Sequence, residues 1–187
     1  MTSSITALPT GANILIQGAS RGIGLALVEA FLKDEDVATV IATSRQPHQS
    51  TALAALEREH PDRLKLIAMD ITSEDAIASA AKEIEHTVDK LHLLFNVTGV
   101  LHDEESGLSP EKSLRDLDAA KLLQSFATNA IGPMLVAKHF LPFFRHDQRA
   151  YFLSMSARVG SIGDNHLGGW YGYRPSKAAL NQFTRTL

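Results

Sequence analysis

Asn13–Gln17 (NILIQ) runs directly into Gly18-Ala19-Ser20-Arg21-Gly22-Ile23-Gly24, and the reading of this stretch decides the fold. A short β-branched apolar run bounded by a turn signal reads as a buried strand. The glycines make the turn, and Ile23–Lys33 beyond it puts Ile23, Leu27, Ala30 and Phe31 on one helical face. Strand, glycine turn and helix in that order open a βαβ unit, which calls for a parallel sheet.

The rest of the chain repeats the alternation. The acidic loop Asp34–Asp36 leads into a strand at Ala38–Thr43, and a helix over Thr51–His60 stops before Pro61. Leu64–Met69 reads as the third strand. Thr72-Ser73-Glu74-Asp75 then reads as a capped, acidic start for a helix to about Asp89. Leu91–Asn96 is the fourth strand and the polar stretch Leu101–Asp116 a long loop. Leu117–Phe144 is mostly helical, interrupted at Gly132-Pro133. Ala150–Met155 is the fifth strand, Ala157–Gly169 a Gly-rich loop, and Ser176–Leu187 the start of another helix. The expected fold is α/β, a doubly wound, mostly parallel sheet in one domain over residues 1–187.

Composition narrows the function. Eighteen Lys+Arg against 21 Asp+Glu leave a net charge of −3, which gives no electrostatic footprint for nucleic acid. No cysteine is present, so disulfides and thiolate metal sites are excluded, and a reducing cytoplasm is the default. Met1 to Ala12 lacks a basic segment followed by an apolar one, so it does not read as a secretory signal. Apolar runs such as Thr39–Thr43 and Leu91–Phe95 fall far short of the ~20 residues that span a bilayer. The eight histidines show no metal-binding spacing, so no catalytic metal is expected.

The glycine turn carries the first chemistry. Glycines let a backbone approach a pyrophosphate, and the helix N-terminus offers free N–H groups and a positive dipole. Gly18, Ser20, Arg21, Gly22, Ile23 and Gly24 are therefore candidate cofactor contacts. The spacing is G-x-x-x-G-x-G rather than G-x-G-x-x-G. An acidic residue after the second strand would grip the 2′-hydroxyl of NAD, but this strand ends Ala42-Thr43-Ser44-Arg45. Asp34, Glu35 and Asp36 precede it, at the wrong end. Arg45 and Arg21 can instead clamp a 2′-phosphate, which favours NADP(H) over NAD(H).

Tyr173-Arg174-Pro175-Ser176-Lys177 carries the second. A tyrosine and a lysine four apart at a helix entry share a face. A neighbouring ammonium stabilises tyrosinate and lowers a phenol pKa from about 10, which makes Tyr173 a candidate general acid for a carbonyl oxygen.

With Gly18–Gly24, Asp70-Ile71-Thr72, Asn96-Val97-Thr98-Gly99, Asn129 and Tyr173/Lys177 in this order, the chain resembles the short-chain dehydrogenase/reductase family. Ser156–Ile162 and Gly168-Gly169-Trp170-Tyr171 resemble its C-factor-like, carbonyl-reductase-like branch. The resemblance implies a Rossmann-like fold and an NADP(H)-dependent oxidoreductase acting on a small carbonyl or alcohol substrate. It implies that Asp70 and the Ile71 backbone flank the adenine, and that Asn96, Val97 and Gly99 line the cofactor. Tyr173 donates the proton, Lys177 holds the nicotinamide ribose, and Asn129 anchors a water in a proton relay. It also implies a homodimer or homotetramer through the long helix.

Four departures stand out. Gln17 replaces the threonine before the first glycine, a modest expected loss of turn hydrogen bonding. Val97 and Thr98 replace asparagine and alanine. The substrate-orienting serine position falls on Ala157, leaving Ser156 one residue earlier as the catalytic candidate and Ser161 as a weaker one. That displacement motivates an alternative, a dinucleotide-binding regulatory or signalling protein with little turnover. Trp170 and Tyr171 read as walls of the pocket or packing for the loop, His102 as a border of the active-site loop, and His139 as a packing or interface residue. Phe140, Phe143 and Phe144 read as caps of the core. Against the family the chain is short, ending inside the helix near Lys177, so a domain incomplete at its C-terminal end, truncated before the last strands, is expected.

Overall fold

A computed structural model describes residues 8–187. The reading of Met1–Ala12 falls largely on residues 1–7, outside the described residues. Five strands, β1 (Ala12–Gln17), β2 (Val37–Ser44), β3 (Leu64–Ala68), β4 (Leu93–Asn96) and β5 (Tyr151–Ser154), form one sheet. Their order is β3-β2-β1-β4-β5, and every neighbouring pair is parallel. The chain winds outward from β1 to β3, then returns to build the other half. This reversal opens a crevice beyond the carboxyl ends of β1 and β4, the place where such sheets bind ligands.

Alternation along β1 divides the core. Ile14 and Ile16 face a cluster with Val28, Phe31 and Leu32 of helix α1 (Gly22–Leu32) and Leu53 of α2 (Thr51–Glu59). Leu15 faces the other cluster, with Ile77 and Ile84 of α3 (Glu74–Glu85) and Val136 and Phe140 of α5 (Gly132–Phe140). A parallel sheet covered on both faces has strands that are apolar on both sides, which is why NILIQ shows no polar alternation.

Local signals account for most boundaries. Ser73 caps α3 by accepting the Ala76 N–H at 3.3 Å, with Glu74 and Asp75 in the first turn. Ser50 caps α2 through the Leu53 N–H. The buried side of α1 differs from the expected one. Gly24, Val28, Phe31 and Leu32 are buried, and Ile23 is 58% exposed. The close seating of Gly24 on the turn sets the rotation of the helix, and that contact has no signature in hydrophobic period.

The long helix also differs. It comprises α4 (Ala119–Phe126), a π turn at Ala127–Ile131 and α5. The interruption thus lies just before Gly132-Pro133, which instead open α5. A β-carbon on Gly132 would sit 2.6 Å from the Ile71 side chain and backbone, so close packing selects glycine there. The last helix, α6 (Tyr173–Thr186), starts three residues earlier than expected and takes Tyr173 into its first turn. No helix among the described residues is long and apolar enough to cross a membrane.

Candidate active site

The glycine turn is pinned to the sheet. The N–H groups of Gly18 and Ala19 both donate to the Thr43 carbonyl at 2.9 Å, which holds the turn against the carboxyl end of β2. Gly18 has φ +87°, and a β-carbon there would meet Thr98 Oγ1 at 2.3 Å. A β-carbon on Gly24 would lie 2.1 Å from the Gly18 carbonyl oxygen. Only glycine permits this helix to start so close to the strand. Neither an acidic residue in the first turn nor a side-chain cap satisfies the N-terminus of α1, which leaves its N–H groups directed at the cradle.

Gln17 and Thr98, two of the family departures, meet each other. The buried Gln17 side chain accepts the Thr98 N–H through Oε1 at 3.3 Å, tying the end of β1 to the segment after β4. The longer amide thus makes its bond to the segment after β4 rather than within the glycine turn.

Arg21 and Arg45 are exposed at the rim of the cradle, and neither pairs with a carboxylate among the described residues. The Asp103 carboxyl is held below its ordinary range, first by the Ser106 hydroxyl, with a smaller contribution from the Arg45 charge. Asp70 follows β3 at the same end and uses Oδ1 to accept from Thr72, N–H and hydroxyl, at 2.9 and 2.7 Å. Ile71 is buried against Gly132, so its main chain is what it can offer a ligand. Val97 packs its side chain on the core and likewise presents backbone.

Polar satisfaction points to the same crevice. Among the described residues, the buried side-chain atoms without a hydrogen-bond partner are Thr43 Oγ1, Ser44 Oγ, Asn96 Oδ1 and Arg174 Nε. The first three stand at the carboxyl ends of β2 and β4. Buried polar atoms are normally paired, so this cluster beside a glycine cradle fits a polar ligand such as a dinucleotide.

Tyr173 and Lys177 face the crevice from α6. The Lys177 ammonium donates to the Met155 carbonyl at 2.7 Å and lies 5.7 Å from the Tyr173 ring centre. A β-carbon on Gly99 would be 3.0 Å from Lys177 Nζ and 3.5 Å from Asn129 Oδ1, so Gly99 keeps the lysine's approach open. Burial pulls the Lys177 pKa down to about 8. Burial also pushes the Tyr173 phenol above its ordinary value. That is opposite to the expected lowering, because desolvation of the half-buried phenol disfavours its charged form.

Asn129 lies in the π turn, a geometry often found at functional sites. Its side chain accepts the Val100 N–H at 2.7 Å and donates to the Val100 carbonyl at 2.9 Å and to Ser176 Oγ at 3.0 Å. Ser176 in turn donates to the Tyr173 carbonyl at 2.8 Å. Asn129 thus braces the loop after β4 against the helix that carries Tyr173. Ser176 sits inside the Tyr173–Lys177 motif, and its place in this network follows from contacts that the motif spacing does not show.

Ser156 makes no hydrogen bond to the tyrosine. Its hydroxyl donates to Asn181 Oδ1 at 2.6 Å, and Asn181 lies two helical turns beyond Tyr173. Among the described residues no side chain is hydrogen-bonded to the Tyr173 hydroxyl. Ser161 Oγ accepts the Asp164 N–H within its own loop.

A family model described as short chain dehydrogenase matches residues 12–187. The chain belongs to the short-chain dehydrogenase family. An uncharacterized oxidoreductase of Schizosaccharomyces pombe is 30% identical over 166 residues, which cover 89% of this chain and 62% of that protein. The chain therefore spans about three-fifths of the length of this curated relative. The NADPH-bound carbonyl reductase from chicken fatty liver superposes with a TM-score of 0.83 at 29% identity, covering 96% of this chain and 73% of that one. A carbonyl reductase of Pseudomonas aeruginosa in complex with NADP gives 0.77 at 31% identity, over 94% and 74%. In this family member the dehydrogenase motifs all fall at the carboxyl edge of the sheet.

Proposed function

We propose that residues 1–187 act as one Rossmann-like domain of an NADP(H)-dependent oxidoreductase that interconverts a carbonyl and an alcohol. The observation that carries this reading is the buried Lys177 ammonium, 5.7 Å from the Tyr173 ring and beside the crevice that holds the glycine cradle. When bound, NADP(H) supplies or accepts the hydride. Gly18, Ser20, Gly22, Ile23 and Gly24 would hold its pyrophosphate, and Arg21 and Arg45 a 2′-phosphate. Asp70 and the Ile71 backbone would flank the adenine. Asn96, Val97 and Gly99 would line the floor. The orphaned Asn96 Oδ1 supports that assignment.

The Tyr173 phenol donates its proton to the substrate carbonyl oxygen as negative charge builds there. A phenol whose pKa is raised is a poor acid for this step until the Lys177 charge is felt. Lys177 is protonated at neutral pH, since its pKa of about 8 lies above 7, so the cation is present to stabilise the phenolate. NADP(H)-bound structures of related reductases support the choice of cofactor. Exposed Leu123 and Ile131 on the long helix support a homodimer or homotetramer, and a cytoplasmic setting goes with the same reading.

The test is NADPH oxidation against a panel of aldehydes, ketones and quinones, with a fluorescence titration of NADPH beside it. Tyr173→Phe should keep NADPH binding and lose turnover by about 10²-fold or more, the scale of a general acid. Parental turnover in that variant would refute the mechanism. The Ser156–Asn181 bond favours a second reading, a dinucleotide-binding regulator, for which NADPH binds but no substrate of the panel turns over.

A further inference from the structure

Among the described residues, the carboxylates, lysines and arginines include only two buried side chains, Lys177 and Glu111. Lys177 belongs to the site above. Glu111 lies in the loop between β4 and α4, and no ion pair among the described residues includes it. An ionised carboxylate is strongly disfavoured in the interior unless its oxygens are used. We propose that Glu111 is a positioning residue that sets the entry of α6, and with it the placement of Tyr173 over the substrate.

The contacts are specific. Glu111 Oε2 accepts the Gly172 N–H at 3.1 Å, and the Glu111 carbonyl accepts the Trp170 N–H at 2.6 Å. Trp170 has φ +56°, an uncommon conformation for a bulky residue that surroundings must impose. Gly172 is the residue at the cap of α6 and has no side chain with which to cap it; Tyr173 is the first residue of the helix. A glutamate that accepts the cap residue's N–H normally comes from the third position of the same helix. Here it comes from 61 residues away, and its charge faces the positive end of α6.

The packing leaves no slack. A β-carbon on Gly172 would lie 3.0 Å from both Glu111 Oε1 and Ser125 Oγ, and Ser125 is itself buried on α4. The ring of Trp170 meets the Tyr173 ring edge-on at 6.2 Å, and Arg174 lies over the Trp170 face at 6.0 Å. Glu111 therefore holds both ends of the Trp170–Gly172 segment, and through Trp170 the flank of the tyrosine. The loop after β4 and the catalytic helix become one unit through this residue.

The inference rests on Tyr173 being the proton donor, and its test separates the two. In the parent, the Gly172 amide should exchange slowly with deuterium, as a buried, bonded N–H does. Rapid exchange there would overturn the clamp whatever the enzyme turns over. Glu111→Leu should then lower kcat by about tenfold or more, the cost of a small misplacement, with NADPH affinity within about twofold of parent. Glu111→Gln keeps an acceptor for the Gly172 N–H and should recover most of that kcat. Unchanged kcat in Glu111→Leu overturns the proposal. So does a common fall in kcat and NADPH affinity that Glu111→Gln fails to rescue, since that marks plain loss of structure. If the parent shows no turnover, the proton-donor reading fails alone, and the exchange of the Gly172 amide still decides the clamp.

Discussion

Replacing Lys177 by methionine isolates the cost of keeping a cation in this crevice. The side chain is 2% exposed, and its pKa falls from 10.5 to about 8 through burial. Between those values the unfolded chain holds the proton and the folded protein has released it. Stability therefore rises with pH through this window, and below pH 8 the full desolvation penalty is present. At about 1.4 kcal/mol per pH unit, the gain between pH 7 and pH 10 comes to about 2–3 kcal/mol. Lys177→Met has no such group. The stability of the parent minus that of the variant should grow by this amount over the range. Urea unfolding followed by circular dichroism without cofactor reads it as a relative midpoint shift of about 1 M. Tyr173, whose raised pKa has the opposite sign above pH 10, is common to both proteins below that limit and cancels. Parallel stability profiles for the two proteins would refute the reasoning. The same variant should lose NADPH-dependent turnover, so the ammonium is retained against its cost in stability.

Arg63 donates to the carbonyls of Leu32, Asp34 and Val37 at 2.9, 2.8 and 2.7 Å, joining the end of α1 to the start of β2. Arg63→Ala should cost about 2–4 kcal/mol in a thermal or urea melt, and Arg63→Lys should restore less than half, because a point charge cannot reach all three. Gly24→Ala drives a β-carbon onto the Gly18 carbonyl oxygen, backbone against backbone. It should destabilise the fold by about 1–3 kcal/mol or more and weaken NADPH in a fluorescence titration, most of all relative to Gly163→Ala, where a β-carbon meets open space. The Arg21→Ala/Arg45→Ala double variant should raise the NADPH dissociation constant by about 10–100-fold and leave that of NADH nearly unchanged. Equal losses for both dinucleotides would remove the case for a 2′-phosphate clamp.

Much of this was legible from residue types because the relevant physics is local. A β-branched run, a glycine turn and a capped helix are each specified within a few neighbours. Their alternation leaves few topologies open, and a parallel sheet winding from β1 is the one observed. The Tyr173–Lys177 spacing likewise carries its own geometry, since one helical turn puts both on one side.

What escaped depends on contacts between segments far apart in the chain. The face that α1 buries follows from the seating of Gly24 under Gly18, and the interruption at Ala127–Ile131 precedes Pro133, which opens α5. The direction of the Tyr173 shift turns on how far the fold buries the phenol, and the acceptor of the Lys177 ammonium, the Met155 carbonyl, lies 22 residues away in the chain. Ser156 bonds to Asn181, Gln17 to Thr98, and Glu111 to Gly172, separated by 25, 81 and 61 residues. The sequence by itself determined the sheet, the family and the cradle. Only the tertiary structure decided which polar groups meet, because desolvation and hydrogen-bond pairing depend on what the fold brings within about 3 Å.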